Sequence, residues 1–128
     1  HRSQGSSFTE GIGIMRVVEN FRQANIHRAI TLPDQDLVTI SRAVSHHDGI
    51  LLGSSSALNV AGALYAAAKM GKGKTIVTFC CDLAERSYSK LYNEDYLTER
   101  GIILEYETAQ AMYQRYQQAP LADVVEVK

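Results

Sequence analysis

Three consecutive serines stand at the start of a long apolar segment, and their hydroxyl groups could bind a small polar ligand. Ser54, Ser55 and Ser56 follow Gly53 and precede an alanine-rich stretch that runs to Met70. The first turn of a helix leaves backbone N–H groups without partners, and the helix dipole adds about half a positive charge there. Serine hydroxyls at that point would make a site for an anion or a ring nitrogen. A simple helix cap is the competing interpretation, because serine is a preferred N-cap residue.

A second polar group follows an apolar run that has the composition of a buried strand. Asp82 comes directly after residues 74–81, and ligands of open α/β sheets bind outside the carboxyl ends of the strands. The same run ends in the only two cysteines of the chain, Cys80 and Cys81. A disulfide between neighbouring cysteines is strained, and no further metal ligands stand nearby. We therefore expect two buried thiols in a reducing compartment.

The length and composition of the chain fit one domain, and its net charge argues against some classes of partner. The chain has 128 residues, 45% of them hydrophobic, and 13 Lys+Arg against 14 Asp+Glu give a net charge of -1. This charge provides no general attraction for nucleic acid or an anionic membrane. The longest apolar stretch, residues 57–68, is shorter than the roughly 20 residues of a membrane span. Because the chain starts at His1 without a visible targeting signal, we expect a piece of a longer protein.

The apolar periodicity predicts the elements that would position these groups. Apolar residues recur at helical spacing between Pro33 and Gly49, and His46 and His47 form a partly exposed pair at the end of that helix, without a metal. The other predicted elements are strands at residues 50–52 and 74–81, a buried helix from about Ser55 to Met70, short helices at 88–91 and 93–100, and an amphipathic tail helix at 108–117. This order indicates an α/β fold, and two strands are too few for a stable parallel sheet.

Five motifs in a fixed order resemble the C-terminal part of cysteine synthases and cystathionine β-synthases, the fold-type II pyridoxal-phosphate enzymes. The resemblance covers roughly residues 5 to 101. The motifs are Thr9–Gly13, Ile30–Asp34, Leu52–Ala63, Thr75–Thr78 and Arg86–Leu91. It implies that residues 1–128 are a single, incomplete part of the large cofactor-binding domain, a three-layer αβα unit with parallel strands, and that residues 102–128 form its C-terminal tail.

The resemblance also implies roles for particular residues. By position Ser55 matches the family serine that donates to the pyridine nitrogen of pyridoxal 5'-phosphate. A loop formed by Glu10, Gly11, Ile12 and Gly13 matches the glycine loop that lines the substrate cleft. For Arg86, Tyr88 and Lys90 in the last motif, a scaffold role and a ligand role are both open.

The chain departs from the family pattern at two positions and lacks several motifs. Ser54 and Ala57 stand where glycines are usual, and a positive φ at either position would strain the turn. The family's cofactor lysine, asparagine loop and Gly/Thr phosphate loop have no counterpart in these residues, so the chain contains no catalytic residue and no metal site that we can identify.

The implied activity is β-replacement, which forms L-cysteine from O-acetylserine or a similar activated serine and sulfide, in a full-length homodimer. A cysteine desulfhydrase, a cystathionine β-synthase and a non-catalytic module that binds a partner remain alternatives. The implied location is the cytoplasm or a mitochondrion. The tail, with Tyr106, Met112, Tyr113 and Tyr116, could dock on a second subunit, on a missing segment or on its own chain.

Overall fold

Helices form most of the part of the chain that the structure describes. The computed structural model describes residues 7–9, 12 and 17–120. It contains five α-helices, which are α1 (Glu19–Gln23), α2 (Asp34–Asp48), α3 (Ser54–Met70), α4 (Glu94–Glu99) and α5 (Ala109–Gln118), and a 3-10 turn at Ala84–Arg86. Helix α2 packs against α3, α3 packs against α5, and α5 also contacts α2. These three helices enclose the core.

The limits of α2 follow from the residues at its two ends. Pro33 precedes the helix in an extended conformation, and Asp34 and Asp36 occupy the first turn, where the helix dipole favours negative charge. Gly49 ends the helix in the left-handed conformation with φ 67, and its N–H donates to the carbonyl of Ser45 at 3.1 Å. The helix predicted between Pro33 and Gly49 is therefore confirmed.

Helix α3 is confirmed within one residue of its predicted start. Its alanines allow close contact with the neighbouring helices, and Ala57 and Ala61 have no exposed surface. One turn further on, Tyr65 is buried against the ring of Tyr116 from α5, with the ring centroids 5.3 Å apart. Small side chains thus bring α3 into the centre of the core.

The tail helix docks on its own chain. Thr108 caps α5 by accepting a hydrogen bond from the N–H of Ala111 at 3.1 Å. Met112 and Tyr116 are buried in the core beside α2 and α3. Docking of the tail helix on its own chain is thus confirmed, and docking on a second subunit or on a missing segment stays a prediction. Residues 121–128 of the predicted tail lie outside the described residues.

A buried carboxylate connects the first turn of α2 to α5. Asp36 is 2% exposed, and it accepts hydrogen bonds from the Tyr116 hydroxyl at 2.5 Å and from the Arg115 guanidinium at 2.8 Å. Arg115 also bonds to Glu107 at the start of the tail. A buried charge is stabilised only when it is paired and hydrogen-bonded, and this network meets both conditions.

The predicted parallel strands are not formed among the described residues. In place of a strand at residues 50–52 there is a single antiparallel bridge, between Leu52 and Leu83. Residues 74–81 form no regular strand, and Val77 and Phe79 are 81% and 75% exposed. A strand needs a neighbour for its backbone N–H and C=O groups, and no described segment lies beside residues 74–81 as such a neighbour. The apolar composition of residues 74–81 could not indicate whether such a neighbour is present.

The expectation of buried cysteines fails for the same reason. Cys80 and Cys81 are both free and exposed. Asn59 of α3 contacts this run, donating to the backbone oxygen of Phe79 at 3.0 Å and to Sγ of Cys81 at 3.2 Å, but no described strand pairs with it. The short helix predicted at 88–91 is also wrong, since these residues form turns, whereas the one predicted at 93–100 is confirmed as α4. No helix among the described residues is long and apolar enough to cross a membrane.

Replacing Tyr116 by phenylalanine tests the network around Asp36. A hydrogen bond to a charged group contributes about 1.5–3 kcal/mol, so we expect Tyr116→Phe to lower the free energy of unfolding by about 2 kcal/mol. Tyr113→Phe is the matched control on the same helix, because the Tyr113 hydroxyl bonds to none of the described residues. Urea denaturation measures both changes, and equal effects would show that Asp36 does not hold α5.

Alkaline pH provides a second test of the same contact. Burial raises the pKa of the Tyr116 phenol above its ordinary 10.0, and the hydrogen bond to Asp36 raises it further. Above pH 10 the unfolded chain therefore loses this proton while the folded chain keeps it, so stability is full below pH 10 and falls as the pH rises. Denaturation between about pH 9 and 11 should show a shallower decline in Tyr116→Phe than in the unaltered chain. Parallel declines would contradict the contact.

Candidate functional site

The carboxylate and backbone of Asp82 bind the N-terminus of α3. The Ser55 hydroxyl donates to Oδ1 of Asp82 at 2.9 Å, and the N–H of Ser56 donates to the same oxygen at 3.2 Å. The Ser56 hydroxyl lies 2.8 Å from both Oδ1 and the backbone oxygen of Asp82 and accepts from its N–H at 2.9 Å. A residue 26 positions away in sequence thus caps this helix, and its charge suits the positive end of the dipole.

The turn before α3 is fixed from both sides. The N–H of Gly53 donates to the backbone oxygen of Asp82 at 3.2 Å. The hydroxyl of Tyr92 donates to the backbone oxygen of Leu52 at 2.7 Å, and Leu52 is bridged to Leu83. The N–H of Ser54 donates to the Ser87 hydroxyl at 3.2 Å. The serines are therefore presented from a defined backbone.

Gly53 is required by the closeness of Asp82. A Cβ built on Gly53 would lie 2.2 Å from the carboxyl carbon of Asp82 and 2.2 Å from its Oδ2. Atoms that are not bonded to each other do not approach so closely, so a side chain at position 53 would displace the carboxylate. The glycine allows the close approach of Asp82 rather than an unusual backbone angle, because its φ is -73.

A cavity of about 260 Å³ opens beside this cluster. Ser54, Ser55 and Asp82 form one part of its lining, and Arg86 and Lys90 contribute two cationic groups. Ser55 is half-buried, so its hydroxyl is within reach of a ligand in the cavity. The arrangement can bind a small molecule that carries both a polar ring atom and negative charge.

The donor set fits the ring nitrogen of the cofactor that the resemblance implies. A neutral hydroxyl at the head of a buried helix suits a pyridine nitrogen, and the half-buried Ser55 provides one at the cavity wall. In the structure that hydroxyl donates to Oδ1 of Asp82 at 2.9 Å, so it must turn away from Asp82 to donate to a ring nitrogen. The role of Ser55 in binding stays a prediction.

The two departures from the glycine pattern cause no backbone strain. Ser54 and Ala57 both lie within α3, and none of the described non-glycine residues has a positive φ. Ala57 is fully buried in the core, where its methyl group contributes to packing. The sequence could not reveal this, because the conformation of the two positions is set by where the helix begins.

The predicted substrate-cleft loop lies mostly outside the described residues. Glu10, Gly11 and Gly13 lie outside the described residues, and Ile12 is 43% exposed. Just before the loop, Phe8 is buried and lines the cavity. Its ring packs against that of Tyr96, with the ring centroids 5.9 Å apart. The loop role therefore stays a prediction.

Sequence reasoning missed Phe8, because nothing in the residues around it indicated which element it would contact. Its N–H donates to Oδ2 of Asp34 at 3.2 Å, and the Ser7 hydroxyl donates to Oδ1 of the same carboxylate at 2.6 Å. These bonds attach the segment before the predicted loop to the first turn of α2. The structure therefore adds Phe8 and Ser87 to the residues that the sequence placed at the site.

The remaining candidates are separated by their positions. Arg86 and Lys90 line the cavity, whereas Tyr88 is 56% exposed and faces the ring of Tyr92 at 6.1 Å. The two histidines are exposed at the end of α2, as predicted, with ring centroids 5.3 Å apart. Within the described ranges, no three His, Cys, Asp or Glu side chains gather as a metal site.

Known proteins are similar in sequence to this chain over part of their length. No protein-family model matches the chain. It is 42% identical over 104 residues to cysteine synthase 2 of Schizosaccharomyces pombe, which covers 80% of this chain and 26% of that protein. It is 42% identical over 95 residues to the cysteine synthase of Dictyostelium discoideum, covering 74% and 25%.

A third relative is the putative mitochondrial cysteine synthase of Saccharomyces cerevisiae, 31% identical over 106 residues that cover 81% of this chain and 27% of that protein. The chain thus spans about a quarter of the length of the curated relatives it matches.

A methyl group at position 53 tests how closely Asp82 approaches α3. We expect Gly53→Ala to displace the carboxylate from Ser55 and Ser56 and to lower the free energy of unfolding by about 2 kcal/mol, the contribution of hydrogen bonds to a charged group. Gly62→Ala is the control within α3, because a Cβ there meets no atom within 4 Å. It should raise stability by up to about 1 kcal/mol through helix propensity. Thermal denaturation measures the stability of both variants. A Gly53→Ala variant as stable as the unaltered chain would contradict the capping role of Asp82.

Proposed function

We propose that this chain, which belongs to the cysteine synthase family, is the C-terminal part of a catalytic domain that forms L-cysteine with pyridoxal 5'-phosphate as cofactor. The similarity to proteins named cysteine synthase carries this proposal. The substrates of the whole enzyme would be O-acetylserine, or a similar activated serine, and sulfide. The names of the relatives favour this reaction over a cysteine desulfhydrase or a cystathionine β-synthase.

Ser55 is the residue of this chain that we propose to hold the cofactor ring. It lies at the head of α3, which is anchored in the core by Ala57 and Ala61, so its hydroxyl is fixed relative to the cavity. When bound, the cofactor supplies an electron sink for an amino-acid substrate, and a neutral partner at the ring nitrogen moderates that sink. Ser55 would orient the ring, and the loop Glu10–Gly13 would line the cleft that admits the substrate.

The cations of the cavity support an anionic ligand. Arg86 and Lys90 line the same cavity as Ser55, beside the carboxylate of Asp82. A substrate or cofactor that carries carboxylate or phosphate groups is attracted to such a surface, more strongly at low ionic strength.

The parallel sheet belongs to the same proposal. Residues 74–81 leave Val77 and Phe79 exposed, and such an apolar segment is stabilised when neighbours cover it. We propose that the rest of the domain covers this segment and the bridge at Leu52, which would complete the αβα architecture. In the complete protein, which would be a dimer in the cytoplasm or a mitochondrion, the cofactor lysine, the asparagine loop and the phosphate loop would come from the part that is not among residues 1–128. The chain by itself would then be inactive.

Absorbance after addition of pyridoxal 5'-phosphate tests the proposal. The longest natural form of the protein should develop the visible band of a lysine-bound cofactor and change it when O-acetylserine is added, whereas residues 1–128 alone should not. Sulfide should then release L-cysteine, which a colorimetric assay detects. A long form that stays colourless would contradict the enzyme and favour the module that binds a partner.

A single substitution tests the residue assignment. In the long form, Ser55→Ala should weaken the affinity for the cofactor by roughly 2- to 10-fold, because a hydrogen bond between neutral groups contributes about 0.5–1.5 kcal/mol. Ser89→Ala is the control, since Ser89 is exposed and does not line the cavity. Fluorescence titration with the cofactor measures both, and an unchanged affinity in Ser55→Ala would remove Ser55 from the site.

A further inference from the structure

A second cavity, of about 540 Å³, lies where the last turns of α2 meet the segment that leads into α5. Arg42, His46 and His47 line it from α2, and Tyr106 and Glu107 line it from the segment before α5. Its volume is that of a small-molecule site, which is typically about 300–1,000 Å³. It shares no lining residue with the cavity at Ser55, so a ligand here would be separate from the proposed cofactor.

The guanidinium of Arg42 is held in place at the wall of this cavity. Its central carbon lies 4.8 Å from the ring centroid of Tyr92 and 5.7 Å from that of Tyr106. Its Nη2 donates to the backbone oxygen of Leu91 at 3.2 Å. Two aromatic rings and one backbone bond thus fix the cation before any ligand arrives, and a group that is already ordered loses less entropy on binding.

The charge of Arg42 has no carboxylate partner among the residues that the structure describes. Glu107 lines the same cavity, but its Oε1 accepts from Nε of Arg115 at 3.0 Å. Arg42 also lies more than one turn before the end of α2, and the negative end of a helix dipole acts mainly within the last turn. A guanidinium presents a fork of N–H donors that matches a carboxylate, so Arg42 is suited to bind one.

The hydroxyl of Tyr106 is a second group that lacks a partner. Its oxygen is buried, and it makes no hydrogen bond to any of the described residues. A buried hydroxyl without a partner is unfavourable, because the protein does not replace the bonds that it made to water. Rotation of this side chain toward an acceptor in the cavity would break no hydrogen bond within the described part of the chain. A ligand oxygen beside Arg42 would supply the acceptor that Tyr106 lacks.

We propose that this cavity binds a small organic carboxylate, which pairs with the guanidinium of Arg42 and accepts a hydrogen bond from the hydroxyl of Tyr106. The exposed rings of His46 and His47 add nitrogen donors or acceptors for a further polar group of the ligand. The site does not depend on the proposed function, because it uses a different cavity and different residues.

Benzoate and benzamide test whether the cavity selects a carboxylate. The two probes have the same ring and nearly the same shape, and only benzoate carries a charge for Arg42. In an NMR titration of the longest natural form of the protein, we expect benzoate to bind roughly 10-fold more tightly than benzamide, as expected of hydrogen bonds to charged groups. Added sodium chloride should weaken benzoate binding. Equal affinities for the two probes, or no binding of benzoate, would overturn the proposal.

Tyr106→Phe separates a role in binding from a role in folding. It removes a hydroxyl that bonds to none of the described residues, so the free energy of unfolding should stay unchanged or rise. The affinity for benzoate should nevertheless fall roughly 10-fold. Tyr113→Phe is the control, because Tyr113 lies on α5 and does not line the cavity, and it should change neither quantity. An unchanged benzoate affinity in Tyr106→Phe would contradict the proposed contact.

Arg42→Gln removes the cation and should abolish the preference for benzoate over benzamide. Arg100→Gln is the matched control, because Arg100 also lies over a tyrosine ring, 5.1 Å from the centroid of Tyr96, but does not line the cavity. That variant should keep the preference. If Arg42→Gln does not fold, Arg42→Lys keeps the charge but loses the planar fork, and it should bind benzoate more weakly than the unaltered protein. A full preference for benzoate in whichever of the two Arg42 variants folds would overturn the assignment of this site.

Discussion

The carboxylate of Asp82 at the head of α3 is the interaction on which the candidate site depends. It joins two segments that are 26 residues apart, and it does so at the point where a helix leaves its N–H groups unpaired. Together with the bonds from the N–H groups of Gly53 and Ser54, it fixes where the three serines lie relative to residues 82–91. With it, Ser55, Arg86 and Lys90 line one cavity.

The cluster is stable because α3 itself is fixed. Tyr65 and Tyr116 pack edge to face between α3 and α5, and Asp36 holds α5 to the first turn of α2 through Tyr116 and Arg115. Hydrogen bonding to Glu107 and Asp36 raises the pKa of Arg115, which favours its charged form. A rigid three-helix frame thus carries a site that lies at one of its ends.

The longer helices α2, α3 and α5 could be predicted from the sequence because their causes are local, whereas the five-residue α1 was missed and the helix predicted at 88–91 is a turn. Pro33 and Gly49 mark the ends of α2, Thr108 marks the start of α5, and the apolar spacing between such residues gives the buried face. The strand predicted at residues 74–81 is not formed among the described residues, because a strand depends on neighbours that these residues do not include.

The candidate site was predictable only in part, for a similar reason. The serines and Asp82 were each identified from their positions after apolar segments, yet the bonds between them depend on how two distant turns meet. Phe8 and Ser87 reach the cavity only through tertiary contacts. Residue types indicate which groups could act together, and the path of the chain decides which of them do.

The closeness of Gly53 and Asp82 also constrains how this sequence can change over time. A Cβ at position 53 would lie 2.2 Å from the carboxyl group, so a larger residue there would displace the Asp82 side chain. A shorter side chain at 82 would in turn leave Ser55 and the N–H of Ser56 without their acceptor. Positions 53 and 82 are therefore coupled, because a substitution at either one would displace or remove the carboxylate that caps α3.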